Sequence, residues 1–180
     1  MSLSVSIFAA IVSIADFGAK TCDAGKCTQS FAAAIESVHC SGGGTVVVPD
    51  GVWLTGPVRL KSNVELHLSH GAVLLASENL DDYNAEDAYA QNYRSNEEEW
   101  CGKHLIIVHE QEEVAITGHG TIDGNGRAYY DAPVKKWNFL WADGLALSKD
   151  KERLRPGQII VFVECRRVRV QDIRMQNTTC

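Results

Sequence analysis

Short β-rich runs, each broken off by glycine, asparagine or aspartate, limit most strongly what this chain can fold into. After "SGGG" at 41–44 come "TVVVP", "WLTGPVRL", "NVELHL", "AVLL", "HLIIVH", "EVAIT", "IIVFVE" and "RVRVQDIRM", with no helical period recurring between them. Three stretches share one design: "VRLKSNVELHL" (58–68), "LIIVHEQEEVAIT" (105–117) and "IIVFVECRRVRVQ" (159–171). Each is an apolar strand, a short polar corner, then an alternating strand led by valine. The anchors Val64, Val114 and Val168 recur about fifty residues apart, which reads as two turns of a repeat of about twenty-five. Strands with corners at such spacing suit a solenoid in which each rung covers its neighbour. A β-sandwich also has many short strands, but it calls for tight Asn-Gly hairpins. "DGNG" is the one candidate, and it leads into "RAYYDAPVKKWNFLW", which does not alternate. The solenoid is the better reading.

"CTQSFAAAIESVHC" is the single convincing helix, expected over 28–38. Thr28 is placed to cap it, and Phe31, Ile35 and Val38 fall on one face. Two long polar and aromatic stretches leave the β pattern, at Glu78–Gly102 and at 127–157. Long loops on a rigid scaffold often carry binding function. Their Tyr and Trp residues either stack on sugar rings or simply pin the loops down.

The 180 residues amount to one domain or part of a larger one, 45% hydrophobic and 22% charged, in the ordinary range for a globular protein. A net charge of −6 argues against nucleic acid as a partner. The late basic runs "KDKERLRPG" and "CRRVRVQDIRM" read as a solvated face. No stretch is long and apolar enough to span a bilayer, so no membrane partner is expected. Residues 1–13 read either as a signal remnant or as a first strand, and 14–180 as one domain. Six cysteines contain no C-x-x-C pair, which disfavours structural zinc. Cys22 and Cys27, with Cys40 further on, form a disulfide in an oxidising compartment or stay scattered thiols; both readings remain open.

The stretches "ADFGAK", "GGGTVVVPDGVWLTGPVRLKSNVELHLSHGAVLLAS", "DDY", "AITGHGTIDGNG" and "RPGQIIVFVECRRVRVQDIRMQNT" occur in this order. In that set, from about Ile14 to the end, the chain resembles the N-terminal part of the polygalacturonase family of glycoside hydrolases, family 28. The resemblance implies an all-β fold, a right-handed parallel β-helix of the pectin-lyase-like kind, with an N-terminal capping helix and its C-terminal rungs missing. It further implies hydrolysis of α-1,4-galacturonosyl linkages in pectin by inversion, with no metal or other cofactor. The substrate would be a pectic polysaccharide or oligogalacturonide, the full-length protein a monomer, and its location secreted or periplasmic, or cytoplasmic in the absence of a clear signal peptide. The alternative is a non-catalytic β-helix module that binds polysaccharide or serves as a structural element.

Inverting glycosidases need two carboxylates about 6.5–9.5 Å apart, one as acid and one as base. The family places its carboxylates in "NTD" and "DD", with a later "GHG" and an "R-I-K" that holds the substrate carboxylate. The "GHG" at 118–120 lies instead inside "G-x-G-x-IDG", where His119 fills a variable position. Asp81 and Asp82 belong to "DDY" and favour a loop role, and Asp123 favours a turn role. The glycines at 118, 120, 124 and 126 are expected to supply backbone conformations closed to other residues. No catalytic residue and no metal ligand is therefore assigned. The catalytic rungs are expected beyond residue 180, which leaves this chain alone inactive.

Overall fold

The computed structural model describes residues 9–21, 25–83, 104–131, 136–137 and 156–178. The strands are β1 (Ala10–Ser13), β2 (Gly44–Val48), β3 (Gly51–Thr55), β4 (Val58–Arg59), β5 (Val64–Leu68), β6 (Ala72–Ala76), β7 (Ile106–His109), β8 (Glu112–Gly118), β9 (Thr121–Asp123), β10 (Tyr130–Asp131), β11 (Lys136–Trp137), β12 (Ile160–Val163), β13 (Arg166–Val170) and β14 (Arg174–Gln176). One helix, α1, spans Thr28–Cys40.

Three parallel sheets carry the fold, ordered β1-β2-β5-β8-β13, β3-β6-β9-β14 and β4-β7-β12. Each coil contributes one strand to each sheet, so the second coil is β5, β6, β7 and the third is β8, β9, β12. This is a parallel β-helix. β10 and β11 form a separate antiparallel pair. The register stacks like on like: Val12, Val46, Leu66, Ile116 and Val170 form one inward column, and Trp53, Leu74, Ile122 and Met175 another. Val46, Leu66, Leu74, Ile116 and Ile122 are fully buried. Each such side chain contributes roughly 1.5–3 kcal/mol by leaving water. On the last described coil the same columns open to solvent, with Val170 43% and Met175 53% exposed.

The register corrects the expected period. Paired residues lie 20 positions apart between β2 and β5, 50 between β5 and β8, and 54 between β8 and β13. Val114 and Val168 pair directly, and Val64 sits one position before the Glu65–Ala115 pair. The three valines therefore lie on adjacent coils, one turn apart rather than two. The basic coil is about twenty residues, and insertions stretch two of its turns to fifty or more.

α1 buries Phe31, Ala34, Ile35 and Val38 over the first coil and covers the open N-terminal end of the solenoid. It runs two residues past the expected end. Its N-cap is Cys27, which makes no side-chain capping bond. Thr28 does different work: its hydroxyl accepts from the buried Gly56 N–H at 2.8 Å and lies 3.3 Å from the Thr55 hydroxyl, tying the helix to the end of β3. Among the four corner glycines of 118–126, only Gly118 takes a left-handed φ, +100°. Gly120, Gly124 and Gly126 are needed for close approach instead, since a Cβ there would lie 2.6–2.8 Å from atoms of a neighbouring coil.

Two outcomes follow for urea unfolding. Thr28→Val leaves the Gly56 N–H unsatisfied and should cost about 1–3 kcal/mol. Ile116→Ala should cost about 2–5 kcal/mol, whereas Val170→Ala on the open coil should cost under about 1 kcal/mol.

Candidate functional site

The crossing from the second sheet to the third sets the molecule's most distinctive face. In the first coil it takes only Gly56 and Pro57, between β3 and β4. In the next two coils the same crossing carries the insertions, between β6 and β7 and between β9 and β12. Both therefore leave the solenoid at one corner, one above the other, beside the sheet β4-β7-β12. On the outer side of that sheet Arg59, Ile107 and Val161 align in register. Arg59 is exposed, while Ile107 is buried yet lies outside the main core cluster.

The roots of the insertions are firmly tied. The Tyr83 hydroxyl donates to the Ser77 carbonyl at 2.8 Å, so this aromatic pins its loop rather than offering a sugar platform. Asp82 accepts from Ser77 and pairs with Lys26, while Asp81 is exposed. The adjacent acids thus part company, and the loop role falls to Asp82. Burial raises its pKa, but hydrogen bonds from Lys26 and Ser77 and the lysine charge outweigh this and hold the carboxyl below its ordinary value. Where both insertions return, the buried His104 ring bonds the Gln158 carbonyl at 3.0 Å. The aromatics at 89, 93, 100, 139 and 141 lie outside the described residues.

His119 and Asp123 are not brought together. His119 is exposed at the corner between β8 and β9, with its ring centroid 6.5 Å from that of His70. Asp123, 8% exposed, closes a turn: Oδ1 accepts from Asn125 N at 2.8 Å, and Oδ2 accepts from Gln176 Nε2 at 2.9 Å and Asn177 Nδ2 at 2.8 Å. Asn125 continues the ladder to the Ala76 carbonyl at 3.1 Å. One carboxylate thereby joins two coils, and the Asn125 side chain reaches a third. Gln176 and Asn177 escape sequence reasoning because their only signal is an offset of 53–54 residues, meaningless before the register is known.

The late basic run meets acids of the coils beneath it. Arg167 pairs with Glu113 and, at 2.7 Å, with Glu112, which raise its already high pKa; Arg169 lies 3.6 Å from Glu65. Cys27 and Cys40 stand at opposite ends of the 13-residue α1, about 20 Å apart by helix rise, far beyond disulfide reach. Cys27 donates to the Lys20 carbonyl and Cys40 to Glu36. Cys22, Cys101 and Cys180 lie outside the described residues. Among the described residues His109, Glu110 and Glu164 have ligand atoms within 4.8 Å of one another, spacing that a cation would fit. All three are exposed, which leaves water free to compete for any such ion. No helix of the described residues is long and apolar enough to cross a membrane.

Removing the Asp123 carboxylate by Asp123→Ala strands three donors and should cost at least about 1–3 kcal/mol, whereas the exposed His119→Ala should stay within about 0.5 kcal/mol, both read from thermal unfolding. Asp82 contributes stability that is complete above its unfolded pKa and is lost as pH falls through the lower folded value. Lys26→Met, by raising that folded value, should move the acid-unfolding midpoint to higher pH, and an unchanged midpoint would refute the assignment.

No family model matches the chain. It is 34% identical over 151 residues to an exo-poly-alpha-D-galacturonosidase of Dickeya chrysanthemi, covering 78% of this chain and 24% of that protein. A probable polygalacturonase of Vitis vinifera is 32% identical over 141 residues, covering 71% of this chain and 27% of that protein. The chain thus spans about a quarter of the length of these curated relatives. Among solved structures, a hyperthermoactive exopolygalacturonase from Thermotoga maritima superposes with TM-score 0.68 at 27% identity, covering 94% of this chain and 42% of that one. A family 28 exopolygalacturonase from Yersinia enterocolitica superposes with TM-score 0.70 at 24% identity, over 96% of this chain and 35% of that one, a likeness of fold. In sequence and in fold the chain is a homologue of the polygalacturonases of glycoside hydrolase family 28.

Proposed function

We propose that the whole protein hydrolyses α-1,4-galacturonosyl linkages of pectin by inversion, and that this chain supplies its N-terminal coils. The sequence similarity to galacturonan hydrolases carries this reading. The chain's own contribution is architectural. It caps the solenoid with α1, and an extended polysaccharide passes beside β4-β7-β12, next to the corner where both insertions depart and return. The acid and base belong to further coils stacked on β12, β13 and β14. In support of that, Val168, Val170 and Met175 are 37–53% exposed at positions whose counterparts one coil earlier are at most 1% exposed. Two carboxylates about 6.5–9.5 Å apart would there activate water on one face of the sugar and protonate the leaving oxygen on the other. Such a protein works where pectin is, in the secreted or periplasmic space, and as a monomer.

The test compares the 180-residue chain with the full product of its gene on polygalacturonate. The full product should release reducing ends with inverted anomeric configuration, followed by NMR, and the 180-residue chain should release none. Turnover by the short chain that His119→Ala abolishes would overturn the placement of the acid and base. Affinity without turnover in the full product would favour a non-catalytic binding module.

A further inference from the structure

β4 is the one strand of the sheet β4-β7-β12 that is entered without an insertion, since Gly56 and Pro57 alone lead into it. It is clamped on both sides of Arg59. Before it, the Gly56 N–H donates to the Thr28 hydroxyl at 2.8 Å; after it, the His39 ring bonds the Ser62 carbonyl at 2.9 Å and Lys61 pairs with Glu36. The strand also bonds to the next coil, Val58 N to the Leu105 carbonyl at 2.7 Å and Leu60 N to the Ile107 carbonyl at 3.0 Å. Val58 and Leu60 are buried, and the side chain between them, Arg59, is outward and exposed.

The charge of that side chain is uncommitted. Among the described residues Arg59 makes no ion pair and no side-chain hydrogen bond, whereas Lys26, Lys61, Arg167 and Arg169 each pair with a carboxylate. Asp82, which packs beside Gly56, is held by Lys26 and Ser77, and Glu36 is held by Lys61, so neither competes for the guanidinium. Glu110 and Glu164 follow the far ends of β7 and β12, and the exposed Asp81 makes no ion pair with Arg59. A guanidinium offers two parallel N–H donors that match a carboxylate, and such charged bonds are about twice as strong as neutral ones. Ile107, the next residue of the same outward row, is buried, which keeps a polysaccharide off the sheet there and leaves contact to a long side chain. Each coil advances about 4.8 Å, which puts β4 about 10 Å from β12 and further still from coils stacked beyond it.

We propose that Arg59 binds the carboxylate of a galacturonate unit remote from the bond that is cut, and so sets a preference for long, unesterified chains. The cations that the family resemblance assigns to the substrate carboxylate, in "R-I-K", are expected beyond residue 180; Arg59 is a further one. This rests on the hydrolysis proposed above, and the test separates the two. With the full product of the gene, KM and kcat are measured on oligogalacturonates of increasing length, from the shortest that is cleaved up to the polymer. Arg59→Gln should raise KM for the polymer roughly fivefold or more, with kcat and the KM of the shortest substrate unchanged. Arg59→Lys, which keeps the charge but not the paired donors, should recover part of the loss. Arg166→Gln, the same charge change on the exposed end of the sheet β2-β5-β8-β13, should alter nothing. An unchanged polymer KM in Arg59→Gln, an equal rise in Arg166→Gln, or a rise as large for the shortest substrate would each overturn the proposal and leave the hydrolysis standing. If the unaltered protein cleaves nothing, the hydrolysis reading fails, and affinity electrophoresis through polygalacturonate decides for Arg59. Retardation that Arg59→Gln weakens would sustain the site, and retardation that is absent or unchanged would overturn it.

Discussion

In-register stacking of parallel coils is the constraint on which everything else in this molecule depends. A single coil presents its inward apolar side chains to nothing; they are buried only when the equivalent residues of the next coil lie on them. Val46, Leu66 and Ile116 are therefore one energetic object, not three separate core residues. A slip of one residue would turn the whole inward column outward, because side chains alternate along a strand. Ends are the weakness of such a design, and the chain closes the N-terminal end with α1, whose Phe31, Ile35 and Val38 substitute for a missing coil.

Polar groups obey the same stacking. The Asp123 carboxylate sits where successive coils turn, and it converts the donors of Asn125, Gln176 and Asn177 into a ladder along the axis. Arg167 and Arg169 reach back to acids on earlier coils. Residues with left-handed backbone recur at fixed corners, as at Asn63, Glu113 and Arg167, and again at Glu110 and Glu164. Glutamate and arginine rarely adopt that conformation, and here the repeating corner geometry imposes it.

The stack also explains where the variation goes. The strands must match from coil to coil, but the crossing into β7 and β12 can lengthen without disturbing any pairing, since loop closure costs little per added residue. Insertion at one corner of consecutive coils leaves the scaffold unaltered. The bonds that Tyr83, Asp82 and His104 make at its roots keep the solenoid regular where the chain departs and returns.

Local pattern alone was enough to identify the β runs, the helix with its buried Phe31, Ile35 and Val38, the two excursions, and the family resemblance carried by motifs such as "AITGHGTIDGNG". These depend on side-chain period and turn chemistry within a few residues. The length of one coil, the tie of Thr28 to Gly56, the partners of Asp123 and the pairing of Arg167 were decided only in the tertiary structure. The tie of Thr28, the bonds of Gln176 and Asn177 to Asp123 and the pairing of Arg167 join residues 28 to 55 positions apart, and the longer separations depend on insertions whose length carries no energetic signature in the sequence. A strand's preference is written in its own residues, whereas its neighbour is chosen by the burial of a column that exists only once the coils are stacked.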